Sequence, residues 1–389
     1  MARLIAVRYV VDHRPMFDRR VFCCAANGFM CRRGLTCAVL TVLAFAVHAQ
    51  EQSAFQWSGF ALLRQSTSET QRPLEQQRLA SQFQIGLDWT PSTTLTAHLH
   101  LLARNADGTQ RGVFGSPEAY LQADFHPAGD RLRIRGGAFF LPTSRENVDA
   151  LWENPYAISS SALNSWLGEE FRPVGIDATY THDGAFIGAT AFRGNDTFGA
   201  LPIERGWSLN DRWTLLGEHV PLDDEYVTSV SAETDGRIGW SARGGWNGTN
   251  FAVQATHIDN RSDGREHGPL YNWGTRFDIL GAEYDLGAWT IAAEDGWGKT
   301  FVTNEDEVDE RYFSDLYAAY ALVSRSFGNA RATVRADRFN DVINGGHDRA
   351  LTFAYFHTLQ HRMRLGAEIT KFRSDRRVLL EIRYRFSGR

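Results

Sequence analysis

Two kinds of connection alternate along this chain, and few folds tolerate that. One kind is tight and built from turn residues: Thr90-Pro91-Ser92, 127–130, His182-Asp183-Gly184, Asn247-Gly248-Thr249, Asp285-Leu286-Gly287, Gly328-Asn329 and Gln360-His361. The other kind is long and polar, near 67–77, 105–117, 141–171, 194–236, 259–273, 299–310 and 340–348. Between them lie about sixteen segments of roughly ten residues with period-2 patterning. In the last one, Val378, Leu380, Ile382, Tyr384 and Phe386 share one face. Arg377, Glu381, Arg383 and Arg385 share the other with Leu379. A soluble sandwich would also show period 2 but has no need of alternating loop lengths. The pattern predicts an all-β, transmembrane antiparallel β-barrel with short turns at one end and long loops at the other. Sixteen strands are expected, and eighteen if 206–220, with Trp207, Trp213, Leu215 and Leu216, forms an extra hairpin. Trp89, Phe125, Tyr180, Trp246, Tyr284 and Phe386 close the apolar faces at the short-turn end, as an interfacial aromatic girdle would.

The start of the chain fits export. The apolar run 35–47 follows Arg32 and Arg33 and precedes His48-Ala49-Gln50, the layout of a signal peptide cleaved after Ala49. Residues 1–29 are too long and mixed for its basic start, so Met30 is the expected initiator, with 1–49 an extension plus signal and 50–389 the barrel. All four cysteines (Cys23, Cys24, Cys31 and Cys37) fall before the cut, so the mature chain has neither disulfide nor thiolate chemistry. Cleavage removes seven Arg and two Asp, leaving 34 basic and 44 acidic residues and a net charge of −10.

In layout, residues 50–389 resemble Gram-negative porins. The local carriers are the final Tyr384-Arg385-Phe386 and the region 136–175. That region reads Gly-Gly-Ala-Phe-Phe-Leu-Pro, then Trp152-Glu153-Asn154-Pro155-Tyr156, then Asn164-Ser165-Trp166-Leu167-Gly168-Glu169-Glu170. It looks like the strand and long loop of phosphate-selective-type and related porins. Ser387-Gly388-Arg389 follow the final aromatic here, a departure that bears on the C-terminal assembly signal. The resemblance implies a barrel in the outer membrane, contact with membrane lipid and lipopolysaccharide, and a homotrimer as the usual assembly.

A pore acts through the field and width of its lumen. Strand parity turns thirteen arginines inward against eight acids, a net positive wall in a net negative protein. Most of these arginines are expected to pair with neighbouring acids. Arg131, Arg133 and Arg135 stand out as three like charges on one strand face with no acid in the same strand. The loop 141–171 carries Glu146, Asp149, Glu153, Glu169 and Glu170 together with Leu151, Trp152, Ile158, Leu163 and Trp166. It is expected to fold into the barrel and set its acids opposite that ladder across a constriction. The function expected is passive diffusion of small hydrophilic solutes, leaning toward anions, or a channel dedicated to phosphate or an organic acid.

Other chemistry has little support in the sequence. The clustered acids of 299–310 would suit divalent cations bridging to lipopolysaccharide, or are simply solvated loop tips. His98 and His100 face the lumen without a third ligand nearby, so no metal is expected. There is no Gly-rich phosphate loop, no nucleophile elbow and no zinc spacing. No catalytic residue, cofactor or nucleic-acid partner is expected. A lipid hydrolase would need a Ser/His pair on an apolar strand face, and no strand offers one. An adhesin acting through 194–236 is the remaining non-channel alternative.

Overall fold

The computed structural model describes residues 54–67, 78–106, 111–222, 226–304, 310–342, 345–360 and 362–388. The proposed start at Met30, the signal peptide and the acids Glu305, Asp306, Glu307 and Asp309 lie outside the described residues.

Sixteen antiparallel strands close on themselves. They are β1 (Ala54–Ser66), β2 (Leu79–Thr90), β3 (Leu95–Arg104), β4 (Phe114–Phe125), β5 (Arg131–Ala138), β6 (Val174–His182), β7 (Ala185–Arg193) and β8 (Gly239–Asn247). β9 (Phe251–Asp259), β10 (Gly274–Leu286), β11 (Trp289–Asn304), β12 (Glu310–Phe327), β13 (Ala330–Asn340), β14 (His347–Leu359), β15 (Met363–Phe372) and β16 (Asp375–Gly388) complete the ring. Every strand pairs with its neighbours in the ring, and β1 seals against β16 with Gly59 opposite Phe386 and Leu63 opposite Ile382. A Cβ at Gly59 would sit 2.1 Å from the Gln84 carbonyl and 2.7 Å from the Phe386 ring, so only glycine fits this seam.

The tight turns fall where their Gly, Asn, Asp and Pro residues place them, at one rim. The long connections gather at the other rim, except for the short turn between β15 and β16. The eighteen-strand count does not hold. Residues 206–220 add no spanning hairpin; Trp207, Trp213 and Leu215 are buried instead. The only extra strands among the described residues are two-residue pieces. Val220–Pro221, Val227–Thr228, Glu266–His267 and Leu270–Tyr271 form a separate small sheet in the loops.

Alternation decides what each face meets. Outward side chains such as Leu63, Ile176, Ile187, Leu280, Leu351, Phe353 and Ile382 are exposed and make an apolar band. Toward the short-turn rim it ends in Trp89, Phe125, Tyr180, Trp246 and Tyr284, also exposed.

Candidate functional site

An inward apolar residue in a water-filled bore would be wet, yet many here are dry. Phe277, Leu316, Ala318 and Leu379 are at most 1% exposed, and Phe339 and Phe372 are nearly as buried. Leu379 packs against Ile158 and Phe356; the others pack against two long loops, 139–173 and 194–238, through Leu163, Trp166, Phe198, Leu201, Trp207 and Leu209. At the centre lies helix α1 (Ala162–Glu170), whose nine residues are all buried. Ser161 caps it, its side chain accepting from the Asn164 amide. Trp166 stacks on Phe198 at 4.5 Å and meets Phe277 edge-on at 4.9 Å. A Cβ at Gly168 would sit 2.2 Å from Trp213, so glycine lets the second loop's indole close onto the helix.

Polar side chains of the wall hold the loop in register. Glu368 on β15 accepts from the Ile158 and Ser159 amides at 2.7 and 2.9 Å and from the Ser159 hydroxyl at 2.6 Å. Arg335 on β13 donates to Glu146 at 2.5 Å and to the Ser159 carbonyl at 2.6 Å, and pairs with Asp337. Glu294 on β11 accepts from the Arg145 amide and the Asn164 side chain. Arg377 on β16 reaches the Leu209 carbonyl and Glu368. Each buried charge therefore has several partners, without which burial would be prohibitive.

The loop acids do not form a row opposite the arginine ladder. Glu146 goes to Arg335, Glu153 to Arg383 and Arg385, and Asp149 to Arg385 at 3.3 Å. Glu169 is clamped by Arg111 and Arg205 at 2.8 and 2.5 Å. Burial alone would raise its carboxyl, but the two guanidiniums outweigh that and hold it at about 2. Glu170, one residue on, has no cation among the described residues. It accepts from Trp166 Nε1 at 2.6 Å, the Thr228 hydroxyl at 2.9 Å and the Gly199 and Leu201 amides. Burial pushes it up to about 7 despite these donors. The reason is range: Arg383, Arg335 and Arg205 lie far along the chain from the acids they meet, and sequence spacing does not show such pairs.

The ladder itself lines a cavity of about 640 Å³ inside the barrel, bounded by Arg131, Arg133, Arg135, Arg145, Arg243, Glu118, Asp149, Trp152 and Gln254. Asp177 on β6 lies 2.5 Å from Arg243, 3.2 Å from Arg135 and 4.0 Å from Arg133. One carboxylate thus serves three guanidiniums. Arg131 pairs with Asp124 at 2.7 Å. Arg135 is packed over Phe139 and Tyr120, whereas Arg131 and Arg133 keep 49% and 25% of their side chains exposed. Arg145 crosses from the loop to Gln254 and Asn247 at 2.9 and 3.1 Å. The Nε atoms of Arg133, Arg135 and Arg145 are buried with no hydrogen-bond partner among the described residues. With one carboxylate shared among three guanidiniums, the space is lined by surplus positive charge.

Arg145 joins the ladder from the loop 141–171. Trp152, one of the apolar residues expected to carry that loop inward, is presented by a strained turn. Leu151 and Trp152 have φ values of 60° and 58°, a conformation that costs roughly 1–2 kcal/mol per non-glycine residue. It stacks Trp152 on Phe140 at 4.6 Å. His98 and His100 do face inward, but toward Asp88 at 2.7 Å and Gln84 at 2.8 Å rather than toward each other's ligands.

No family model matches the chain, and no curated protein matches it either. Solved structures do match. OmpF of Salmonella typhi, in a complex with daunomycin, superposes with a TM-score of 0.55 over 86% of this chain and 97% of its own, at 11% identity. The anion-selective porin from Comamonas acidovorans gives 0.51 over 86% and 100%, at 12% identity. OmpT of Vibrio cholerae, an outer membrane protein lacking its loop L8 in that structure, gives 0.50 over 86% and 99%, at 10% identity. The chain has the closed sixteen-strand barrel fold of bacterial porins.

Proposed function

We propose that this chain is an outer-membrane porin, a non-enzymatic channel that passes small hydrophilic anions by diffusion. Support for the membrane comes from the outward apolar band with its aromatic edge and from the porin fold. The single observation carrying anion preference is the five-arginine cavity in which Asp177 is shared three ways. Guanidinium charge is permanent and its planar fork suits carboxylate or phosphate oxygens. Glu146, Glu153, Glu169 and Glu170 serve to fasten the loop, while Arg131, Arg133 and Arg145 face the solute. Arg135 backs them from its packed position.

The filled lumen favours a second, narrower reading. A sixteen-strand barrel ordinarily leaves an aqueous bore, but here packed loops occupy much of it. A channel dedicated to one small anion, phosphate or a short organic acid, would use such a restricted path. In a planar bilayer under a KCl gradient, the reversal potential should report chloride preference. Clear cation selectivity would overturn the anion reading, and absence of conductance from a folded barrel would favour an adhesin or an enzyme.

A further inference from the structure

The arginine-lined cavity has a second side, which selection by charge does not use. Val148, in the loop 141–171, is 49% exposed and borders the cavity together with Trp152 and Phe186. Trp152 is only half-buried and ends a stack of planar groups. The Arg172 guanidinium lies 3.3 Å from the centre of the Phe140 ring, and Phe140 stacks on Trp152 at 4.6 Å with 8° between the ring planes. The left-handed pair Leu151-Trp152 holds the indole there, with Leu151 anchored against Phe60 and Leu62 of β1. Backbone strain of this kind persists only where the surroundings impose it, and it gathers at ligand-binding features.

Strand register sets the interval between the charged and the apolar side. Arg131 stands opposite Thr181, and Thr181 opposite Phe186, so the three form one row across β5, β6 and β7. With neighbouring strands about 4.8 Å apart, the backbones of Arg131 and Phe186 are separated by about 10 Å. That interval suits a carboxylate carrying a single ring. An inorganic anion would gain nothing from Trp152 or Val148, whereas a flat ring can stack on the indole. Asp149 and Glu118 border the same space, so a dianion would meet like charge there. We propose that this cavity selects small aromatic monocarboxylates of the hydroxybenzoate type. Arg131 and Arg133 take the carboxylate, Trp152, Val148 and Phe186 cover the ring, and Asp149 accepts from a ring hydroxyl. The proposal rests on the anion reading of this cavity and narrows its solute class.

The test uses the full barrel in neutral detergent, titrated calorimetrically with 4-hydroxybenzoate, acetate and phosphate against detergent blanks. The wild type should bind 4-hydroxybenzoate at least about tenfold more tightly than acetate, a difference of about 1.4 kcal/mol, and more tightly than phosphate. W152L should cut the hydroxybenzoate-to-acetate ratio at least about fivefold, about 1 kcal/mol, and W152F should keep most of it. R131Q/R133Q should weaken both carboxylates together. Equal binding of the two carboxylates by the wild type would overturn the proposal. So would tighter binding of phosphate, or an unchanged ratio in W152L. Reversal potentials separate this proposal from the reading beneath it. Chloride preference without aromatic discrimination sinks this proposal alone, whereas cation preference with no acid bound sinks both.

Discussion

Along β9–β16 the inward side chains meet protein, whereas along β2–β6 many meet space. The alternation producing the two walls is the same; what differs is what the loops bring to them. Phe277, Leu316 and Phe339 are at most 2% exposed against the loop core. Across the lumen, the Asp88 carboxylate is 40% exposed and Arg131 is 49% exposed. The closed side uses the apolar residues that interrupt its polar face, together with pinned charges. The open side leaves guanidiniums underpaired. A barrel of fixed strand number can therefore narrow its path from within, and the loops choose which charges stay available.

The comparison breaks first at the pins. Arg335→Ala strands Glu146 and Asp337 without their shared cation, and loss of one partner of such a buried pair costs about 3–5 kcal/mol. Equilibrium urea unfolding should show that loss, while Arg131→Ala, half exposed, should cost less than about 1 kcal/mol. If the two cost the same, the two sides do not differ as described.

Trp166→Ala removes the ring that joins α1 to Phe198, Trp207 and Phe277. Truncations of this kind cost about 3–5 kcal/mol. Because the strand ladders do not pass through Trp166, the cost should fall on the packed loop. Single-channel conductance should then rise while heat-modified migration of the folded barrel on gels stays normal.

Protonation sharpens the same contrast. Glu170 has a folded value raised to about 7, so its burial carries no charge cost at low pH. As pH rises from the ordinary carboxylate range near 4.5 through about 7, keeping it buried becomes costlier, by about 3 kcal/mol in all. Amide protection of α1, corrected for intrinsic exchange, should fall between pH 5 and pH 8. Glu170→Gln should flatten that dependence. Glu169, already ionised above about 2, contributes nothing to it in that window.

The barrel was legible because its determinants are local. Period 2 sets the face, and Gly, Asn, Asp and Pro set the turns. Arg335, Asp337, Glu368 and Arg377 are among the charges that strand parity turns inward, and all are buried inside. Their partners were not legible, since Arg335 meets Glu146 across 189 residues and two loops without periodicity. One signal was available. Leu379, Phe339 and Phe372 sit on the polar face of their strands, and Leu379 now packs against Ile158 and Phe356. Apolar residues at inward positions announce that something other than water fills the lumen. The same reading would have placed Trp207 and Trp213 in that filling rather than in a seventeenth and eighteenth strand.

The most direct measurement is the reversal potential of R131Q/R133Q/R145Q beside the wild type, in planar bilayers under a tenfold KCl gradient. The account predicts that the wild type prefers chloride and that the variant loses at least about threefold in anion-to-cation permeability ratio, about 0.6 kcal/mol. An unchanged reversal potential in a variant that still conducts would contradict it, leaving the arginine-lined cavity as wall structure only.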